Sequence, residues 1–224
     1  MAATLYAVPA SHPCACVERA LQLKAVEYRR IDLPPVAHKA VQKALFGGTT
    51  VPGLVLDGEK LLGSLRIIRA LEQKAPEPPL LPSDRKRRKS VELAEGWGDE
   101  VLQPLVRRVL WAALGRAPGA MPSYSEGSKL PIPAPVARLS APLIARVERW
   151  IDHDVIGGDR PNAGDLQIGS GLALLLTIED VASHCGERPA AELARRWFPG
   201  YPGHVPSSVL PAEWFRGRTS TAAG

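Results

Sequence analysis

Ser11-His12-Pro13-Cys14-Ala15-Cys16-Val17 sets a hydroxyl three residues ahead of a thiol. Thr50-Val51-Pro52-Gly53 and Gly63-Ser64 follow downstream, with His38-Lys39 between. The first stretch suits thiol chemistry. A free thiol has a pKa of ~8.5, so only a small fraction is thiolate at neutral pH. Lowering that by about two units needs roughly 2.7 kcal/mol of preference for the anion. A hydroxyl donating to sulfur supplies about 1.5–3 kcal/mol, and a helix N-terminus about 0.3–1 kcal/mol. Ser11 could therefore activate a bound thiol without a general base; as a plain turn residue it would do nothing. Cys14 is the rival catalytic residue, because a thiol in a first helical turn is itself activated. Yet Ser11 stands where a Cys-x-x-Cys pair has its attacking cysteine. Cys14 and Cys16, two apart on a helix, could bridge only by unwinding it. Cys185, before Gly186, reads as structural.

The elements that must hold these residues follow from pattern. Thr4–Val8 reads as a strand and Pro13–Lys24 as a helix, with Pro in its first turn and Val17, Ala20, Leu21 and the Lys24 stem on one face. Glu27–Leu33 is a second strand. Ala37–Phe46 is a helix stopped by Gly47-Gly48. Pro52–Leu56 turns through Asp57-Gly58 into Lys60–Leu62. Ser64–Lys74 is a helix capped by Ser64, with Leu65, Ile68 and Leu71 as its stripe. The order βαβαββα is that of a thioredoxin-like α/β domain.

Lys74–Pro82 is a proline-rich linker, and strand signals vanish after it. Ser90–Leu114, Val136–Ile156, Asn162–Cys185 and Ala190–Phe198 read as helices. Pro118–Pro135 is a loop, and the tail after Gly217 is expected to fray. Two domains are predicted, 1–80 and an all-α domain over 84–224, split near 75–85.

The chain has 224 residues, a net charge of +5 and 45% hydrophobic content, which suits a globular protein able to bury a core without staples. Such a charge does not imply nucleic acid. Arg85-Lys86-Arg87-Arg88-Lys89 lacks interleaved aromatics, and Glu92, Glu95, Asp99 and Glu100 follow it, so a solvated face is expected. Leu172–Ile178 is too short to span a bilayer, and no secretory leader is read at the N-terminus. Three cysteines make no disulfide framework, which predicts a reducing, cytoplasmic setting. No histidine and cysteine spacing suggests a metal, and no glycine-rich phosphate loop is present. Trp97, Trp111 and Tyr124 could wall an apolar pocket or simply pack a core.

Ser-x-Pro-Cys-x-x-Val at Ser11–Val17, Val51-Pro52, and Ser64 with Ile67 and Leu71 resemble the cytosolic glutathione transferase family, most closely its serine-type, theta-like members. Arg160-Pro161-Asn162-Ala163-Gly164-Asp165 resembles that family's capping box; Asn162 and Asp165 have the spacing for reciprocal capping on physical grounds too. The resemblance covers roughly residues 4 to 200. It implies a thioredoxin-like domain followed by an all-helical one, a cis bond before Pro52, and an enzyme that activates glutathione for attack on a hydrophobic electrophile, as in detoxification. It implies a homodimer, with no metal. Glutathione would be held by His38, Thr50, Val51, Pro52, Gly63 and Ser64, with Val51 pairing as an added strand does and the Ser64 turn receiving a carboxylate. The pattern departs at Gly63, where the family has an acidic or amide side chain that meets the ligand's amino group. A reductase built on Cys14 and a non-catalytic binding protein are the alternatives.

Overall fold

The computed structural model describes residues 1–34, 37–120, 122–125 and 141–215. Strands β1 (Ala3–Ala7), β2 (Tyr28–Asp32), β3 (Gly53–Leu56) and β4 (Glu59–Leu62) form one sheet in the order β2-β1-β3-β4. β1 and β2 run parallel; β3 is antiparallel to both β1 and β4. Leu5, Leu54, Leu56 and Leu61 are buried on this sheet. Helices α1 (His12–Leu23) and α3 (Ser64–Lys74) pack together, and α2 (His38–Phe46) lies against β4. Gly53 faces α2 so closely that a Cβ there would stand 2.6 Å from Gln42 Oε1 and from the Phe46 ring.

This is the predicted thioredoxin-like βαβαββα domain. Its α3 stripe differs from expectation: Ile67, Ile68 and Leu71 are buried, while Leu65 is only half-buried. Ser64 is the first residue of α3, not its cap. Gly63 is the N-cap, and no side chain caps the helix.

All later helices form the second domain. α4 (Arg85–Trp97) passes through a π-helical turn at Gly98–Leu102 into α5 (Gln103–Arg116). α6 (Pro122–Ser125), α7 (Ala141–Asp152), α8 (Ala163–Leu176), α9 (Glu179–Cys185) and α10 (Pro189–Trp197) complete it. The helix predicted over Ser90–Leu114 thus begins five residues earlier, where Asp84 caps it through the Arg87 N–H. Asn162–Cys185 is two helices, broken at Thr177-Ile178, where Ile178 bridges Val205. Most of the loop expected over Pro118–Pro135, the start of Val136–Ile156 and the tail after Gly217 lie outside the described residues.

Helix α8 is buried from Ala163 to Leu175 and packs on α1, α4 and α10, so it joins the two domains. Its capping box is formed: the Asn162 side chain accepts from the Gly164 and Asp165 N–H groups, and Asp165 accepts from the Asn162 N–H. The linker is pinned by buried Lys24, whose Nζ donates to the Ala75 and Pro78 carbonyls and pairs with Glu72 at 2.7 Å. Among the described residues no helix is long and apolar enough to cross a membrane.

Candidate functional site

The turn between β1 and α1 is set by backbone. Ala10 has φ of 54°, a left-handed conformation costly for a residue with a Cβ. Tyr201 of the helical domain donates its hydroxyl to the Ala10 carbonyl at 3.0 Å. Burial pushes the Tyr201 phenol well up, so it stays a neutral donor. Ser11 then takes the N-cap position of α1 with φ −77° and ψ 113°, but its hydroxyl caps nothing. That hydroxyl neighbours the Cys14 thiol, and Ser11 is half-buried at the helix N-terminus. A hydroxyl free of capping duty, beside positive helix-end N–H groups, is suited to stabilise a sulfur anion.

Cys14 is 1% exposed, and burial pushes its thiol up to about 11 despite hydrogen bonds from the Ser11 side chain and the Val8 backbone that favour the anion. It is therefore protonated near neutral pH. Cys16 is also buried, with Sγ donating to Gln167 Oε1 at 3.5 Å, and all three cysteines are free. His12 is buried and neutral: desolvation, then the Arg107 charge, lowers its pKa to about 3.

The Val51–Pro52 bond is cis. The Val51 N–H and C=O make no hydrogen bond among the described residues, whereas the Pro52 carbonyl accepts from the Gly63 N–H at 2.9 Å. Val51 thus presents a free strand-like edge beside an exposed Thr50. Gly63 has φ of 91°, with open space where a Cβ would stand. Ser64 is 2% exposed and faces inward. Its Oγ lies 3.3 Å from both Asp99 Oδ1 and Gln167 Oε1, and accepts from Gln103 Nε2 and Gln167 Nε2 at 3.2 Å. The Ser64 hydroxyl is thus committed to a contact between domains, leaving the backbone N–H groups of the first α3 turn to meet a ligand. His38 begins α2, half-buried, with Nδ1 unpartnered among the described residues. Burial and neighbouring Lys39 hold its pKa below the usual value.

Sequence reasoning missed the inward carboxylates. Asp99 and Glu95 were expected on a solvated face. Instead, Glu95 is fully buried against Arg69, and burial pushes it up to about 7. Asp99 is half-buried, its pKa raised chiefly by desolvation. The π turn, a feature frequent at functional sites, places Asp99 beside Ser64. The basic run Arg85–Lys89 is exposed, as a solvated face would be.

A cavity of about 480 Å³ opens on the other side of Ser11. It lies between the β1–α1 turn, the outward face of α1 and the segment Trp197–Pro202 of the helical domain. Of the expected wall residues only Tyr124 reaches it; Trp97 instead stacks edge-on against Trp150. Val51, Pro52, Gly63 and Ser64 do not line it. Ser11 therefore lines the interdomain cavity, and the turn that carries it leaves the sheet at the end where Tyr6 of β1 pairs with Gly53, next to Pro52. Among the described residues, no cluster of three or more His, Cys, Asp or Glu is disposed to hold a metal.

Residues 5–79, about a third of the chain, match the family described as glutathione S-transferase, N-terminal domain. A probable maleylacetoacetate isomerase of Caenorhabditis elegans is 40% identical over 74 residues, which are 32% of this chain and 35% of that protein. The match thus spans about a third of that relative's length. A glutathione transferase from Populus trichocarpa superposes with TM-score 0.63 at 17% identity, covering 87% of this chain and 91% of its own. A glutathione S-transferase from Methylobacterium radiotolerans, in complex with glutathione sulfonate, has TM-score 0.57 at 20% identity, covering 94% and 99%. At these identities the likeness to the solved structures is one of fold.

Proposed function

We propose that this chain, whose residues 5–79 match the glutathione S-transferase N-terminal domain and whose two-domain fold is that of solved glutathione transferases, binds glutathione and activates its thiol for attack on an electrophilic carbon. The observation that carries this reading is Ser11, whose hydroxyl makes no cap at the α1 N-terminus and lines the 480 Å³ cavity, at the sheet end where Tyr6 pairs with Gly53 beside cis-Pro52. Residues 1–80 are the thiol-binding domain in this reading, and 84–224 supply the acceptor side.

Glutathione lies extended along Val51, exchanging main-chain hydrogen bonds with its free N–H and C=O. Thr50 and Pro52 border that edge. The ligand's γ-glutamyl carboxylate meets the backbone N–H groups at the start of α3, by Gly63 and Ser64. Gly63 offers no side chain to the amino group, so Asp99, 3.3 Å from Ser64, is the carboxylate that takes its place. His38 lies near the other end of the ligand. Ser11 donates to the sulfur, holding it as thiolate. The sulfur attacks the acceptor carbon; a C–S bond forms, and the leaving group departs with its electron pair, or an activated double bond takes up a proton.

A second reading rests on the isomerase relative. Thiolate addition to an activated double bond, rotation, and loss of the same thiolate would isomerise the acceptor using the same Ser11. Cys14, buried and protonated, is a poor candidate for a reductase nucleophile. The protein is proposed to act as a homodimer in a reducing compartment, where its three thiols stay free. Calorimetry with glutathione, together with conjugation of 1-chloro-2,6-dinitrobenzene, tests the reading. Micromolar to millimolar binding and turnover above the spontaneous rate support it; binding without turnover would leave a non-catalytic member of the family, and absence of both would overturn it.

A further inference from the structure

Among the described residues, the cavity beside Ser11 carries a cation with no paired anion. Three charged ones line it: Glu18, Arg19 and Arg30. Glu18 is committed, accepting from Arg30 Nη1 at 2.6 Å and from the Tyr28 hydroxyl at 3.3 Å. Arg30 is further paired with Asp32 at 2.7 Å. Arg19 forms no ion pair among the described residues; its one side-chain hydrogen bond is a long 3.5 Å to Gln22. Its Nε is shielded from solvent and has no partner among them. A guanidinium N–H shielded from water without an acceptor pays desolvation unless a ligand supplies one.

Pro9, Trp197, Phe198, Pro199 and Tyr124 supply flat apolar wall, beside polar Ser11, Gln22 and Ser123. Arg19 lies eight residues beyond Ser11 on the same helix, about 12 Å along its axis. Helical side chains lean toward the N-terminus, which shortens the span between the two functional groups. We infer that this cavity receives an apolar carboxylate, with a planar unsaturated or aromatic body against the proline and aromatic wall and its carboxylate on Arg19. This rests on the proposed transferase reading for its chemistry, since the acceptor carbon is then presented to the sulfur at Ser11. The anion site itself stands on the charge balance of the cavity.

Binding separates the two. Calorimetry compares 3,5-dinitrobenzoate with neutral 1,3-dinitrobenzene on wild type, Arg19→Gln and Arg19→Lys. The benzoate should bind wild type roughly ten-fold or more tighter than its neutral counterpart, a charge-assisted hydrogen bond's worth. Arg19→Gln should remove that advantage and leave the neutral ligand unchanged; Arg19→Lys should restore part of it. The advantage should shrink as salt is raised. Equal binding of the two ligands to wild type, or a benzoate preference untouched in Arg19→Gln, overturns the proposal. Turnover of 4-chloro-3,5-dinitrobenzoate against 1-chloro-2,6-dinitrobenzene, each corrected for its spontaneous rate, then tests the reaction. Arg19-dependent benzoate binding with no conjugation of either acceptor would sustain the anion site and count against the transferase reading alone.

Discussion

At the scale of the residue, the site pairs a usable hydroxyl with an unusable thiol. Ser11 commits no hydrogen bond to capping α1, while burial holds Cys14 protonated with its pKa at about 11. Cys14→Ser should therefore leave glutathione conjugation within about two-fold, as measured by initial rates. A large loss of a disulfide-reducing activity in that variant would instead put Cys14 at the centre. Asp99→Asn removes the charge proposed to meet the ligand's ammonium. It should weaken glutathione binding by roughly ten- to a hundred-fold, since a charged hydrogen bond is worth about 1.5–3 kcal/mol, while leaving binding of the deaminated tripeptide unchanged in the same calorimeter. Ser11, Val51 and Pro52 were legible because a turn, a Val-Pro and their spacing are local signals. Asp99 and Arg19 were not. Whether an acid after a basic run faces water or another domain depends on a π turn that adds one residue to the helix register, and nothing in the local pattern marks that insertion.

At the scale of the element, the polar contact between α3, the π turn and α8 explains why Ser64 is buried. Removing its hydroxyl leaves Asp99, Gln103 and Gln167 short of a shared partner, so Ser64→Ala should cost about 1–3 kcal/mol in denaturant unfolding. Two buried carboxylates also bias the pH response. Glu95, on α4, is pushed up from 4.5 to about 7, and Asp165, on α8, from 3.8 to about 6, in both cases mainly by burial. The folded state then holds protons that the unfolded state releases. Stability is therefore greatest below the unfolded values and falls as pH rises through about 6 to 7. The melting temperature should decline across that window, and Glu95→Gln should flatten most of the decline; an unchanged profile would remove Glu95 from the account. The element order was readable, since α3 begins and ends where its pattern does. Helix breaks were not: nothing in the pattern through Leu176-Thr177-Ile178 marks a stop, and the break coincides with contacts to Val205 and Tyr124, both distant in sequence.

At the scale of the whole molecule, α8 fixes the two domains together, and Tyr201 of the second holds the Ala10 carbonyl of the turn that carries Ser11. Among the described residues, beyond Met1, the large exposed apolar side chains are Leu93 and Val101, two helical turns apart on α4 and the π segment. Such a pair suits a surface covered by a second copy of the chain. Leu93→Glu with Val101→Glu should shift light-scattering mass from dimer to monomer, and an unchanged mass would place the contact elsewhere. The account as a whole turns on whether Ser11 holds a thiolate. The direct test is ultraviolet titration of thiolate absorbance in the glutathione complex of wild type and Ser11→Ala. Wild type should ionise bound glutathione about one to two pH units below the free thiol, and Ser11→Ala should return most of that shift. Identical titrations in the two proteins, or no depression in wild type, would contradict it.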